Sequence, residues 1–149
     1  MGRKEREGVI PPAAVPFVAQ ARVGRLATIG EDGLPYLVPF CYVLWQGDLW
    51  SPLDTKPKRV PVERLRRVQN IVARPGVGVV IDRWSEDWSE LAYVQIRGHA
   101  RLVTSAEARA AVVPLLREKY PQYRSMPALD ENPLLQITPL AVVVWGHLG

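Results

Sequence analysis

A chain of 149 residues is long enough to bury one ordinary hydrophobic core and too short for two, so one domain over residues 1–149 is expected. With 48% hydrophobic and 23% charged residues, and no apolar run near the roughly 20 residues that cross a bilayer, the composition argues against a membrane-spanning helix, and a cytoplasmic globular protein with no membrane partner is expected. A lone cysteine, Cys41, excludes an intrachain disulfide, the separated His99 and His147 give no metal-ligand spacing, and the net charge of +4 is concentrated in one stretch.

In chain order, residues 1–8 are charged and precede prolines instead of an apolar signal core, which reads as a flexible tail on an unexported protein. Pro11, Pro12 and Pro16 admit a short helix over residues 13–22, because proline fits a helix's first turn. Residues 23–29 and 36–45, rich in β-branched and aromatic side chains and separated by the turn Glu31-Asp32-Gly33, predict a hairpin. Gln46-Gly47-Asp48 predicts another turn before a short strand at 49–51. Prolines and lysines in 52–59 then forbid regular structure.

The pattern from 61 to 73 is helical, with Leu65, Val68 and Val72 on one face, and Arg74-Pro75 stops it. Residues 77–81 predict a buried strand, 82–90 a polar loop carrying Trp84 and Trp88, and 91–103 a long strand. Thr104 and Glu107 have capping-box spacing and open a helix over 106–120 that ends before Pro121. Residues 134–137 and 140–145 read as the last strand, interrupted at Pro139. Tight turns between strands, with few inserted helices, predict a mainly β fold: an antiparallel barrel with short packed helices, not a doubly wound parallel sheet. No glycine-rich phosphate motif of the Rossmann or P-loop type is present.

Between positions 56 and 74 lie seven cations, Lys56, Lys58, Arg59, Arg64, Arg66, Arg67 and Arg74, against one acid, Glu63. That stretch is +6 and the remainder −2, which attracts an anionic partner: a nucleotide tail, a nucleic acid or an acidic protein. Lys56, Lys58 and Arg59 precede a predicted helix, whose first turn offers unpaired N–H groups and a favourable dipole. Arg67 and Asn70, three apart, are neighbours on that helix. Arginines on amphipathic helices more often face water, so Arg64, Arg66 and Arg74 are assigned to solvent. Nucleic acid, with aromatic residues as stacking platforms, is the least favoured partner and is not expected.

Gly24-Arg25-Leu26-Ala27-Thr28-Ile29, with Asp32-Gly33 and Pro35, resembles the opening hairpin of pyridoxamine-phosphate-oxidase-like split barrels. Asp54-Thr55-Lys56-Pro57-Lys58-Arg59, Arg67-Val68-Gln69-Asn70-Ile71, Arg74-Pro75, Asp82-Arg83-Trp84 and Glu86-Asp87-Trp88 are similar to the branch that uses the deazaflavin coenzyme F420. The resemblance covers residues 24–103 and rests on element order beyond them. It implies a six-stranded antiparallel split β-barrel of the FMN-binding type and a homodimer with cofactor sites at the subunit interface. The implied activity is an oxidoreductase transferring a hydride between reduced coenzyme F420 and an unsaturated or conjugated small-molecule acceptor.

Carried onto this sequence, the resemblance implies that Lys56, Lys58, Arg59, Arg67 and Asn70 bind the cofactor's phosphate-bearing tail. It places Val38, Pro39 and Phe40 on the strand where the family's cofactor ring lies, with ordinary barrel packing as their alternative, while Trp84 and Trp88 either line the ring pocket from the second subunit or anchor the dimer. FMN is the alternative cofactor. It brings one phosphate, whereas the deazaflavin adds several carboxylates to a phosphodiester, which suits seven cations. A non-catalytic module binding a flavin, deazaflavin or tetrapyrrole is the alternative of another class. The chain ends Trp145-Gly146-His147-Leu148-Gly149, without the Arg-Leu-x-Pro pattern of the vitamin oxidases, so pyridoxamine phosphate is not the expected substrate. No catalytic side chain and no metal is assigned, because in such enzymes the cofactor carries the chemistry. His99 receives no role, since no carboxylate or cysteine partner can be named for it.

Overall fold

The computed structural model describes residues 4–53 and 61–149, with the side chains of residues 8–53 and 61–149. Its strands are β1 (Lys4–Glu7), β2 (Gly24–Ile29), β3 (Pro35–Phe40), β4 (Val43–Trp45), β5 (Asp48–Pro52), β6 (Gly76–Arg83), β7 (Ala92–Val103) and β8 (Leu134–Gly146). They form one sheet in the order β3-β2-β6-β7-β8-β5-β4, with β1 also paired to β8. Every pairing is antiparallel. The end strands β3 and β4 follow one another in the chain without pairing, so the sheet wraps a core yet stays split. This is the expected mainly β split barrel, with eight described strands instead of six.

The two additional strands have separate origins. Lys4–Glu7, inside the expected tail, pairs with residues 141–144 of β8. The strand expected over 36–45 breaks at Cys41 and Tyr42, where the Tyr42 backbone N–H donates to the Tyr120 hydroxyl at 3.1 Å. The last strand, by contrast, runs unbroken through Pro139. β8 pairs with β5 over residues 134–137 and with β1 over 141–144, and Pro139 falls between these two neighbours, where a missing N–H deprives neither ladder.

Alternation builds the core. Leu26, Val79, Ile96 and Val142 stand side by side across β2, β6, β7 and β8, and all four are buried. Each contributes about 1.5 to 3 kcal/mol of burial. The helices are α1 (Val15–Gln20), α2 (Arg66–Ala73), α3 (Ala106–Lys119) and α4 (Ala128–Glu131). Ser105, one residue beyond the expected Thr104, caps α3 by accepting from the Ala108 N–H at 3.2 Å. Val112, Leu116 and Leu129 from α3 and α4 pack a second cluster with Val43, Trp50 and Leu134 of the sheet.

The helix expected over 61–73 divides into a 3-10 turn, Val62–Arg64, and α2, because Leu65 between them is extended (φ −63°, ψ 132°). Restarting at Arg66 turns Val68 and Ile71 inward and leaves Val72 71% exposed, which corrects the expected Leu65, Val68, Val72 face.

At the end of α3, the Lys119 ammonium lies 4.2 Å from the Tyr42 ring centre and 5.2 Å from that of Tyr120. It donates to the Tyr42 carbonyl at 3.0 Å. Burial, with the nearby Arg22 charge, lowers the Lys119 pKa to about 8, while burial raises Tyr120 to about 12 and pushes Tyr42 above its ordinary value. An amine whose pKa falls on folding binds fewer protons folded than unfolded, so stability rises with pH from about 8 towards the unfolded value of 10.5. Phenols whose pKa rises on folding remove stability above their unfolded value of 10.0. Urea midpoints measured against pH should therefore peak close to pH 10, and Lys119→Met should flatten the rise while keeping the fall. A Lys119→Met profile that matches the parent would remove Lys119 as its cause.

Candidate functional site

The strands turn alternate residues away from the core. Ala27, Gly78, Arg97 and Ala141 form one outward row across β2, β6, β7 and β8. The small residues of this row, with Gly76, leave a groove of about 420 Å³ bordered by Ile29, Pro35 and Leu140. Neither Gly76 nor Gly78 has the left-handed backbone that demands glycine. A Cβ built on either meets nothing closer than 3.9 Å. These glycines serve space, not chain geometry.

Gly98 differs. It lies opposite Pro139, and Arg97 opposite Ala141, so Leu140 is an extra residue on β8. Such a bulge re-aims a side chain, and Leu140, 48% exposed, stands on the groove's border. At this point the strands approach so closely that a Cβ on Gly98 would lie 2.1 Å from the Thr138 carbonyl oxygen.

A second groove, about 440 Å³, is lined by Glu31, Arg66, Gln69, Asn70, Ala73 and Arg74. It lies between α2 and the turn that joins β2 to β3. The two grooves adjoin at Thr28 and Ile29, which line the first. Asn70 Nδ2 donates to Thr28 Oγ1 at 2.9 Å, and Arg74 Nε donates to the Ile29 carbonyl at 2.8 Å. An apolar recess thus continues into a polar, cationic one. Asn70 and Thr28 are 2% and 1% exposed, so Asn70→Ala strands a buried hydroxyl. It should destabilise the fold by about 1 to 3 kcal/mol in urea titrations, with part of the loss recovered in Asn70→Leu/Thr28→Val. No loss in the single variant would show that the pair is not structural.

The sequence-predicted residues are distributed as follows. Lys56, Lys58 and Arg59 lie outside the described residues. Arg67 is half-buried on α2, and Asn70 is buried against β2 at the edge of the polar groove. On β3, Phe40 points inward against Tyr42, with ring centres 5.3 Å apart, and Val38 packs on the same core. Pro39 faces outward opposite Arg25. Trp84 and Trp88 are 66% and 73% exposed, beyond the end of β6 remote from α2. The eight residues of β6 span about 26 Å, so within one chain the tryptophans and the α2 groove stay apart.

Arg66 is exposed, its guanidinium 5.9 Å from the Tyr36 ring centre. Arg74, expected in solvent, is half-buried and tied to Ile29. Its position just after α2 brings it back against β2. The Arg25–Asp82 pair, at 3.3 Å and about half exposed on both sides, adds little stability. Sequence reasoning missed the small-residue floor, although the alternation Gly76-Val77-Gly78-Val79 carries its signal: glycine at every second strand position marks one side-chain-free face. His99 is also outward, opposite Gly76.

The family profile described as Pyridoxamine 5'-phosphate oxidase matches residues 10–146. Among solved structures, the chain is similar to a conserved hypothetical protein from Mycobacterium tuberculosis at 24% identity and a TM-score of 0.77, covering 97% of this chain and 90% of that one. It is similar to an F420 reductase at 16% identity and a TM-score of 0.64, covering 89% and 98%. A heme binding protein from Mycobacterium smegmatis aligns at 20% identity and a TM-score of 0.69, covering 93% of this chain and 56% of that one. These likenesses show the shared fold. Comparison with curated proteins gave no match.

Proposed function

Because the chain belongs to the pyridoxamine 5'-phosphate oxidase family, we propose that it is a dimeric oxidoreductase that binds the deazaflavin coenzyme F420 across the two adjoining grooves. The observation that carries this reading is the junction at Thr28 and Ile29, where an apolar recess meets a cationic one. A flavin-type coenzyme has the same division, an aromatic ring system joined to an anionic tail.

The residues present fit such a group. Gly76, Gly78 and Ala27 leave room for a flat ring to lie close to the strands, and Ile29, Pro35 and Leu140 shield it from water. Arg66, Gln69 and Arg74 line the tail groove, and Arg67 lies on the same helix. Charge-assisted hydrogen bonds of this kind contribute about 1.5 to 3 kcal/mol each when well placed. When bound, a reduced deazaflavin supplies a hydride to an electron-poor double bond. The chain's part is to hold the ring, exclude water and leave one face open to the acceptor. The groove lies on an open outer face, and a second copy laid on that face would cover it.

Titration of the apoprotein with coenzyme F420 and with FMN tests this reading. Tighter binding of F420 is expected; tight binding of FMN alone would replace the deazaflavin by a flavin. Reduced coenzyme whose absorbance stays constant with quinone, biliverdin and nitro acceptors would leave a binding module and no enzyme. His99, opposite Gly76, supports a second reading, since imidazole is a common haem iron ligand. A shifted Soret band that is lost in His99→Ala would favour that reading.

A further inference from the structure

At the C-terminal end of α3, two cations crowd one aromatic ring with no acid between them. The Lys119 ammonium lies 5.2 Å from the Tyr120 ring centre, and the Arg22 guanidinium 4.9 Å from it. Arg22 Nη2 donates to the Lys119 carbonyl at 2.6 Å, and Lys119 Nζ donates to the Tyr42 carbonyl at 3.0 Å. Both cations are thus tethered to backbone, and among the described residues neither has a carboxylate partner. The other titratable groups around the amine are the phenols of Tyr42 and Tyr120 and the thiol of Cys41. The catalytic reading above uses none of these groups.

Two like charges held together are relieved by loss of one charge or by arrival of an opposite one. Burial and the Arg22 charge already bring deprotonation of Lys119 down to about 8. A neutral amine can then gain negative charge by reacting with dissolved carbon dioxide. Its lone pair bonds to the carbon, one C–O π pair moves onto oxygen, and the nitrogen passes a proton to water. The resulting carbamate carries one negative charge, so Arg22 turns from a repelling neighbour into an attracting one. The carbamate nitrogen keeps one hydrogen, enough to retain the bond to the Tyr42 carbonyl. Arg22, seated on the last turn of α3, also offsets the negative end of the helix, which would otherwise oppose an anion there.

We propose that Lys119 is a modification site at which carbon dioxide adds to the side-chain amine, with Arg22 as the counter-ion of the carbamate formed. The adduct replaces a repulsion by an ion pair between the chain just before β2 and the end of α3. Charge at this corner of the barrel then responds to dissolved carbon dioxide.

Chemical trapping tests it. The protein is equilibrated with bicarbonate at about pH 8, treated with triethyloxonium to fix carbamates as esters, and mapped by peptide mass spectrometry. A short peptide with a free α-amine, present in the same solution and carrying the ester, shows that the conditions support carbamates. Lys119 should be labelled at least tenfold more than Lys4, because an ordinary lysine is almost wholly protonated at that pH. Arg22→Gln should lower the occupancy of Lys119 at least threefold, since it both restores proton affinity to the amine and removes the counter-ion. Labelling of Lys119 no higher than that of Lys4 overturns the site. Occupancy unchanged in Arg22→Gln overturns the counter-ion, and with it the proposal's electrostatic basis.

Discussion

Gly78→Leu is expected to weaken coenzyme binding at least a hundredfold while leaving the urea midpoint unchanged or raised. Gly78 sits in β6 with ordinary backbone angles, and a Cβ there would make normal contacts, 3.9 Å from the Ala27 Cβ and 4.0 Å from the Ile96 carbonyl oxygen. Glycine inside a strand costs roughly 0.5 to 1 kcal/mol against alanine, so a side chain at this site favours the strand. Leucine would project into the groove that Ala27, Gly78 and Arg97 line. A hundredfold loss corresponds to about 2.7 kcal/mol, a modest demand on a ring displaced from its slot. Gly78→Ala should lie between the two. Binding of Gly78→Leu at parental affinity would remove the groove as the ring site, and sedimentation of the same variant separates a blocked ring from a blocked partner.

The second large effect is structural. Gly98→Ala should destabilise the fold by about 3 kcal/mol or more, because the added methyl runs into the backbone of β8. Its Cβ would lie 2.1 Å from the Thr138 oxygen, 3.0 Å from the Thr138 carbonyl carbon and 3.2 Å from the Pro139 Cα. No rotamer change relieves contacts of that kind, so β7 and β8 would have to part at the bulge. For a domain of this size the loss is about 10 °C in thermal midpoint. Coenzyme affinity should fall as well in the molecules that still fold, since the bulge aims Leu140 at the groove. A midpoint within 2 °C of the parent, roughly one half kcal/mol, would show that the strands can open there without cost.

Much of the barrel was legible from local chemistry. The hairpin of β2 and β3, the helix opening near Thr104 and the long strand ending at Val103 follow from alternation, turn residues and capping, which are short-range signals. Errors appeared where distant partners decide. Nothing near Lys4 indicates that residues 141–144 will accept it as an edge strand, and nothing near Cys41 shows that Tyr120 will take the Tyr42 N–H. Pro139 looked like an interruption because its neighbours on the open side of β8 could not be known. At the candidate site, cationic spacing drew attention to Arg67 and Asn70, but spacing cannot show which face of a helix is buried, and Asn70 lies against Thr28. Gly76 and Gly78 were in view throughout. Only the register that aligns them with Ala27 and Ala141 turns them into a floor.

The position of β8 bears on how the chain reaches this structure. β7, β5 and β1 all take β8 as a neighbour, and β1 joins it from the far end of the described chain. Native pairing of this kind has high contact order, with loop-closure entropy spent before the ladder repays it. β2, β3, β6 and β7 can assemble from contacts nearer in sequence, while β4 and β5 have no sheet to join until β8 docks. Refolding should therefore be slow for a domain of this length, with hydrogen-exchange protection in β5 arriving together with β8.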